Sequence, residues 1–128
     1  MEKEFVPYEL AVKLKELGFD EPCFGWYSNR EGNVLRQVYC ETYLGIENCA
    51  KAPLYQQAFR WFRNNYSTYV EIHETTDWEE DNESWSFVIF KYRLGDNDGM
   101  ISSTIDYKTY EEAELDCLSK LIEIVEQK

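Results

Sequence analysis

The stretch that decides the fold is Trp85-Ser86-Phe87-Val88-Ile89-Phe90-Lys91-Tyr92-Arg93-Leu94. Aromatic and aliphatic side chains occupy both sets of alternating positions, so both faces of an extended strand would be apolar here. A strand with two apolar faces is typical of the centre of a sheet. We therefore expect this strand to have a neighbour on each side.

The flanking segments supply those neighbours. Residues 69–74 and 100–107 both show the apolar alternation of strands. The acidic segment 76–83 is expected to be the loop between the first two strands, and residues 95–99 (GDNDG) the hairpin loop between the last two. Together these segments predict an antiparallel meander.

The first helix is predicted from the spacing of its leucines. Leu10, Leu14 and Leu17 recur on one face, and Pro7 suits the first helical position. Gly18 offers a left-handed C-cap onto which the next residue can fold. We therefore expect a helix over residues 7–17.

Two further helices follow from apolar stripes and end signals. One begins with Pro53, runs to residue 63 and stops at Asn64 and Asn65. The other opens with the capping box formed by Thr109 and Glu112 and presents one continuous apolar face.

The N-terminal half also contains a predicted hairpin. Residues 23–28 and 35–43 are the strands, residues 29–33 the turn, and residues 48–51 a connector. The order is then α-β-β-α-β-β-β-α. This is an α+β fold: an antiparallel β-meander packed by helices, within a single domain covering residues 1–128.

Charge is distributed unevenly along the chain. The net charge is −12, of which residues 67–99 carry −7, whereas residues 35–66 carry +2. An acidic half repels nucleic-acid and membrane phosphates and attracts basic proteins. The composition therefore argues against direct binding to nucleic acid or membrane and favours a basic protein partner.

The start of the chain and its cysteines indicate the compartment. No export signal and no membrane-length apolar run occur in the sequence. The four cysteines are scattered, without a C-x-x-C pair, and are interpreted as free thiols. We therefore expect a cytoplasmic protein.

Catalytic and metal chemistry find little support in the sequence. The only histidine, His73, lies within a predicted strand and has no second histidine to share a metal with. Aligning Gly99 with the glycine of a calcium loop leaves Leu94 and Ile105 at two essential ligand positions. The six glycines occur singly, so no phosphate loop is present. We expect no catalytic residue, no metal and no cofactor.

The candidate site is a protein-binding segment, residues 77–83. Its members are five acids and one tryptophan, namely Asp77, Trp78, Glu79, Glu80, Asp81 and Glu83. A tryptophan among charges is a natural hot-spot residue of an interface. The alternative is that Trp78 folds onto the domain while the acids only solvate the loop.

Three stretches resemble a group of small uncharacterised proteins from phages and prophages of Bacteroides-type gut bacteria. They are residues 52–63 (APLYQQAFRWFR), residues 110–114 with 120–124 (YEEAE and KLIEI), and residues 17–23 (LGFDEPC). The resemblance implies a viral or mobile-element origin and an intracellular setting. It transfers no catalytic residue.

The leading hypothesis is a non-catalytic phage-type protein that binds a basic host or phage protein through an acidic surface. A sharper version is a nucleic-acid mimic, whose carboxylates stand in for phosphates. Convergence of the acids of residues 77–83, Asp96, Asp98 and the last helix on one face would favour that version, whereas even scattering would favour plain solubility.

Two alternatives stay open. One is a self-associating structural or accessory module, with a homodimer contact through Leu115 and Ile124 of the last helix. The other is a small-ligand-binding domain with an aromatic pocket built from Trp26, Tyr27 and the strand that begins at Trp85.

Overall fold

The structure, a computed structural model, describes residues 4–28, 34–36, 49–77, 82–93, 96–102 and 106–127. The elements in chain order are α1 (Tyr8–Glu16), β1 (Gly25–Ser28), β2 (Val34–Arg36), β3 (Cys49–Ala52), α2 (Tyr55–Tyr66), β4 (Thr68–Asp77), β5 (Asn82–Arg93), β6 (Asp96–Ser102) and α3 (Tyr110–Glu126). They form two three-stranded antiparallel sheets, β2-β1-β3 and β4-β5-β6. The predicted α+β class is confirmed, with one strand more than the sequence indicated.

The chain divides into two compact units, Met1–Ala58 and Phe59–Lys128, and α2 crosses the boundary between them. The single domain expected over residues 1–128 stays a prediction. No helix in the described part of the chain is long and apolar enough to cross a membrane.

Helix α1 ends as its sequence indicates. Gly18 adopts a φ of 102°, the left-handed conformation that residues with a Cβ rarely take. The backbone N–H groups of Gly18 and Phe19 donate to the carbonyls of Lys15 (3.1 Å) and Leu14 (2.9 Å). These two bonds form a Schellman motif and bury Phe19. The predicted cap is therefore confirmed, although Pro7 is the N-cap and not the first helical residue.

The first sheet corrects one prediction. β1 and β2 form the expected antiparallel pair, while residues 29–33 and 37–48 lie outside the described residues. The connector predicted at residues 48–51 is wrong, because Cys49–Ala52 pairs with β1 as a third strand. Its small residues have weak strand preference, so pairing with β1 and burial of Ala50 and Ala52 decide its conformation.

The N-terminal segment is held within the first unit by backbone and side-chain contacts. The Val6 N–H donates to the Pro53 carbonyl (2.9 Å), and the Tyr27 hydroxyl donates to the Val6 carbonyl (2.7 Å). The Tyr8 ring meets Tyr27 edge-on, with centroids 5.7 Å apart. Pro53 takes part in this contact with the N-terminal segment, and α2 begins two residues after it, at Tyr55.

Helix α2 also runs past its predicted stop and ends at Tyr66. The Asn65 side chain donates back to the Trp61 carbonyl (2.9 Å) within the last turn of the helix. Termination falls instead on Ser67, with a φ of 50°, and on Thr68, whose hydroxyl donates to the Tyr66 carbonyl (3.0 Å). A serine in the left-handed region carries no strong sequence signal, so the end was misplaced.

The second sheet has β5 at its centre, as predicted. We call inner face the side on which Phe87 and Ile89 are buried and on which α3 packs. The loops predicted at residues 76–83 and 95–99 are too long. β4 and β5 stay paired to Asp77 and Asn82, and Asp96 pairs with Arg93. Backbone pairing continues through polar side chains because ladder hydrogen bonds do not depend on hydrophobicity.

Candidate functional site

The predicted binding segment lies at the tip of the β4–β5 hairpin. Asp77 and Glu83 are the last and second residues of these strands, and they stand in register with Asn82 and Thr76. Trp78, Glu79, Glu80 and Asp81 lie outside the described residues. The two ends of the acidic segment therefore belong to the paired ends of one hairpin.

A second group of carboxylates lies a few residues from this tip along the paired strands. Exposed Glu74 stands opposite Trp85 in the register of β4 and β5. The exposed carboxylate of Asp106 lies 3.5 Å from the Thr75 hydroxyl, and Thr75 stands opposite Ser84. Both acids are thus fixed near the hairpin tip by the sheet itself.

The start of α3 comes to the same end of the sheet. The backbones of Trp85 and Tyr107 exchange two hydrogen bonds, of 2.7 and 2.8 Å. The Trp85 ring meets Tyr110 edge-on, with centroids 5.4 Å apart. Exposed Glu111 and Glu112 follow Tyr110 directly, so the first turn of α3 adds two carboxylates to this end.

Part of this charge has a structural explanation. The Thr109 hydroxyl accepts from the Glu112 N–H (3.2 Å), which confirms the predicted N-cap. Carboxylates in the first turn of a helix are also stabilised by its dipole. Glu111 and Glu112 therefore cost little where they stand.

A second structural contact involves Asp116. The Tyr107 hydroxyl donates to its carboxylate, and the Tyr107 ring stacks on Phe87. Burial, together with this hydrogen bond and the charge of Asp116, raises the pKa of Tyr107 to about 12. The tyrosine therefore stays a neutral donor at physiological pH and ties α3 to the sheet.

We define the acidic end by the described carboxylates gathered near the hairpin tip. Its members are Glu74, Asp106, Glu111, Glu112 and Asp116. Glu114 of the same helix is not part of it, because its side chain is buried. Within the described residues 106–112, the basic side chain is Lys108.

Asp96 and Asp98 do not join the acidic end. Asp96 pairs with Arg93, at the opposite end of β5 from Asn82. Eleven steps along the strand separate the two ends, roughly 36 Å at 3.3 Å per residue. The acids near the tip and those of the first turns of α3 therefore come together, whereas Asp96 and Asp98 belong to the opposite end of the sheet.

His73 has a partner that the sequence did not indicate. Its Nε2 lies 2.8 Å from the Ser86 Oγ, and its Nδ1 is buried without a hydrogen-bond partner among the described residues. To accept a proton from Ser86, the imidazole would carry its own proton on Nδ1, which would leave a buried donor unsatisfied. A nucleophile–base pair usually has a third group that orients the base. The described geometry favours the interpretation of His73 as a structural or surface histidine of a strand.

Cys117, on α3, has a weakly reactive thiol. Cys117 and Cys23 are buried and form no disulfide among the described residues. Burial, with smaller effects of Asp116 and Glu114, raises the pKa of Cys117 to about 12. The thiol of Cys117 is therefore protonated near neutral pH. It lies on α3, on the inner side of the sheet, whereas His73 lies on the outer face beside Ser86. Among the described side chains, no three His, Cys, Asp or Glu come together as a metal site requires.

Large exposed apolar side chains among the described residues are Phe24, Leu115 and Tyr69. Phe24 is 71%, Leu115 42% and Tyr69 40% exposed. The sequence analysis named Leu115 but missed Phe24, because a phenylalanine beside a strand is usually buried. Leu115 and Ile124 are nine residues apart, which places them on opposite sides of α3 at 100° per residue. One helix face therefore does not carry both, as a shared dimer contact would require.

The residues proposed for an aromatic pocket have structural roles. Tyr27 is buried and hydrogen-bonded to Val6, and Trp85 packs on Tyr110.

Comparison with protein-family models, curated proteins and solved structures finds no match to this chain.

Proposed function

We propose that this protein is a non-catalytic, phage-type protein that docks onto a basic host or phage protein through the acidic end. The observation that carries the proposal is the gathering of carboxylates from β4, the connection before α3 and α3 itself near a single hairpin tip. Like charges brought together repel, so such an arrangement costs stability. A cost without a structural benefit favours a role in binding.

Some of these acids lack a structural explanation, and they lie closest to the tip. Glu111 and Glu112 serve the helix N-terminus, and Asp116 serves Tyr107. Exposed Glu74 has no such role among the described contacts. In the sequence it is followed by Asp77, Glu79, Glu80, Asp81 and Glu83. We therefore place the centre of the docking surface at the tip.

The charge of the second unit supports the same choice of partner. Residues 59–128 contain seven Lys and Arg but sixteen Asp and Glu, whereas residues 1–58 contain six and nine. A field of this sign speeds the approach of a basic protein and makes the association sensitive to salt. Trp78 would then supply the apolar anchor that charge alone lacks.

The nucleic-acid mimic is the sharper form of this proposal. In that form the partner is a nucleic-acid-binding protein whose basic groove receives carboxylates in place of phosphates. Because Asp96 and Asp98 lie at the far end of β5, the mimicking surface would be short and centred on the tip. A cytoplasmic setting and a phage origin belong to this proposal as well.

The test uses two charge-reversed variants of equal charge change. E79K/E80K alters the tip, and D96K/D98K alters the far end of the sheet. The wild type and both variants are used as bait at about 50 mM salt, and a recovered basic protein is then purified and titrated against each. We expect E79K/E80K to weaken binding at least tenfold, which is about 1.4 kcal/mol, and D96K/D98K to change it much less.

Salt provides the second arm of this test. Raising the salt from about 50 to about 300 mM should weaken wild-type binding strongly, because exposed charges are then screened. Equal effects of the two variants, or the absence of any basic partner at low salt, would overturn the proposal. Competition of the recovered partner's nucleic acid with the wild-type protein would favour the mimic over simple docking.

A further inference from the structure

We infer that β4 is the docking strand: an extended basic segment of the partner pairs with its outer edge and adds a fourth strand to the sheet. This inference rests on the proposed function and names the form that the partner takes. β4 is ten residues long and stands at the edge of the sheet. Within the residues that the structure describes, β5 is the strand with which it pairs.

The edge offers backbone hydrogen bonds to a further strand. In a strand, N–H and C=O groups point alternately to the two sides, so half of those of β4 point away from β5. An edge of this kind is the usual template for binding an extended peptide. A ten-residue strand is long enough to pair with most of such a segment.

The inner face of β4 also carries apolar area that its neighbour does not cover. Val70 and Ile72 are only half-buried, whereas their partners in β5, Ile89 and Phe87, are 2% and 4% exposed. Since the side chains of paired strands lie side by side, a fourth strand would cover part of Val70 and Ile72. This observation is independent of the charge.

The carboxylates of β4 fix the register of the expected segment. Glu71, Glu74 and Asp77 recur at every third position, and Glu71 and Glu74 are exposed. Because side chains alternate between the faces, Glu71 and Asp77 stand on one face and Glu74 on the other. Residues opposite each other in paired strands have Cβ atoms about 5 Å apart, which suits an ion pair. The partner segment should therefore carry Lys or Arg at every third residue, with apolar residues opposite Val70 and Ile72.

A second copy of this chain fits the edge poorly. The three acids are symmetric about Glu74, so two β4 strands paired antiparallel about that residue would place Glu71 opposite Asp77 and Glu74 opposite itself. Like charges directly opposite each other destabilise a strand pair. Charge complementarity thus favours a basic segment over self-pairing.

The experiment titrates the full chain against fluorescein-labelled peptides at about 50 mM salt and follows fluorescence anisotropy. The first peptide has the sequence Lys-Thr-Thr-Lys-Thr-Val-Lys-Val, which places its lysines opposite the three acids in an antiparallel pairing. The second has the same composition with lysines at alternate positions, and the third is the first with alternate backbone amides N-methylated. We expect the first peptide to bind about tenfold more tightly than either of the others.

Matched variants locate the contact on the protein. E71Q/E74Q removes two charges from β4, and E111Q/E112Q removes two from the acidic end without touching the strand. We expect the first pair to abolish the preference for lysines at every third position and the second pair to preserve it.

The outcomes separate this inference from the proposed function. Equal binding of the two isomers, or undiminished binding of the N-methylated peptide, would overturn strand addition even where E79K/E80K still weakens the protein partner. A stable dimer in sedimentation at the same salt, lost in the presence of the first peptide, would show that a second copy occupies the edge and would also overturn the inference. Sensitivity to E71Q/E74Q without sensitivity to E79K/E80K would instead sink the tip-centred proposal and leave strand addition standing.

Discussion

On the inner face of the second sheet, Phe87 and Ile89 lie in the core that β5 shares with α3, whereas at the acidic end of the same sheet Glu74, Glu111 and Asp106 are exposed. Burial of apolar area stabilises the fold at the first region. Accumulated charge opposes stability at the second. The comparison separates residues that hold the unit together from residues that are available for binding.

The largest effect is expected from Leu118→Ala on the buried side of α3. Leu118 is fully buried, so its truncation removes apolar contacts and leaves a cavity. We expect the free energy of unfolding, measured by urea denaturation, to fall by about 2–5 kcal/mol. Leu115→Ala, on the same helix but 42% exposed, is the matched control and should cost less than about 1 kcal/mol. Similar costs for both would mean that the inner face is not the packed region described above.

An intermediate effect is expected where the two regions meet, at the cap of α3. Thr109→Ala removes the acceptor of the Glu112 N–H and should lower the free energy of unfolding by about 1 kcal/mol. Thr109→Ser keeps a hydroxyl at the same position and serves as the control. A loss as large for serine as for alanine would show that the threonine acts through packing and not through its cap.

The smallest effect is expected at the tip. E79K/E80K should change the free energy of unfolding by less than about 0.5 kcal/mol, because a segment that serves docking contributes little to the packing of the fold. A small gain is the expected sign, since two repelling charges are removed. A loss of about 2 kcal/mol in urea denaturation would show that the tip is structural and would erase its contrast with the inner face.

Several parts of the fold could be predicted because their signals are local. The cap at Gly18 follows from the conformational freedom of one residue, and the cap at Thr109 from a side chain that reaches three residues ahead. The central place of β5 follows from its two apolar faces. Each of these predictions depends on residues that are close to each other in sequence.

Other parts could not be predicted because they depend on distant partners. β3 is a strand because β1 pairs with it, and the ends of the β4–β5 hairpin stay extended because each residue finds its register partner. In the candidate site, the sequence named the acids from Asp77 to Glu83 but missed Glu74 and Asp106. These two residues reach the same end only through the pairing of β4 with β5 and of Tyr107 with Trp85.

The sequence by itself determined the α+β class, the caps at Gly18 and Thr109, the centre of the second sheet and the excess of negative charge in the second half of the chain. These properties arise from composition and from short-range periodicity. Only the tertiary structure decided which acids share one end, that Asp96 and Asp98 lie at the other, and that β4 stands at an edge. Strand register and helix docking bring together residues far apart in sequence, and no local sequence pattern encodes which of them come into contact.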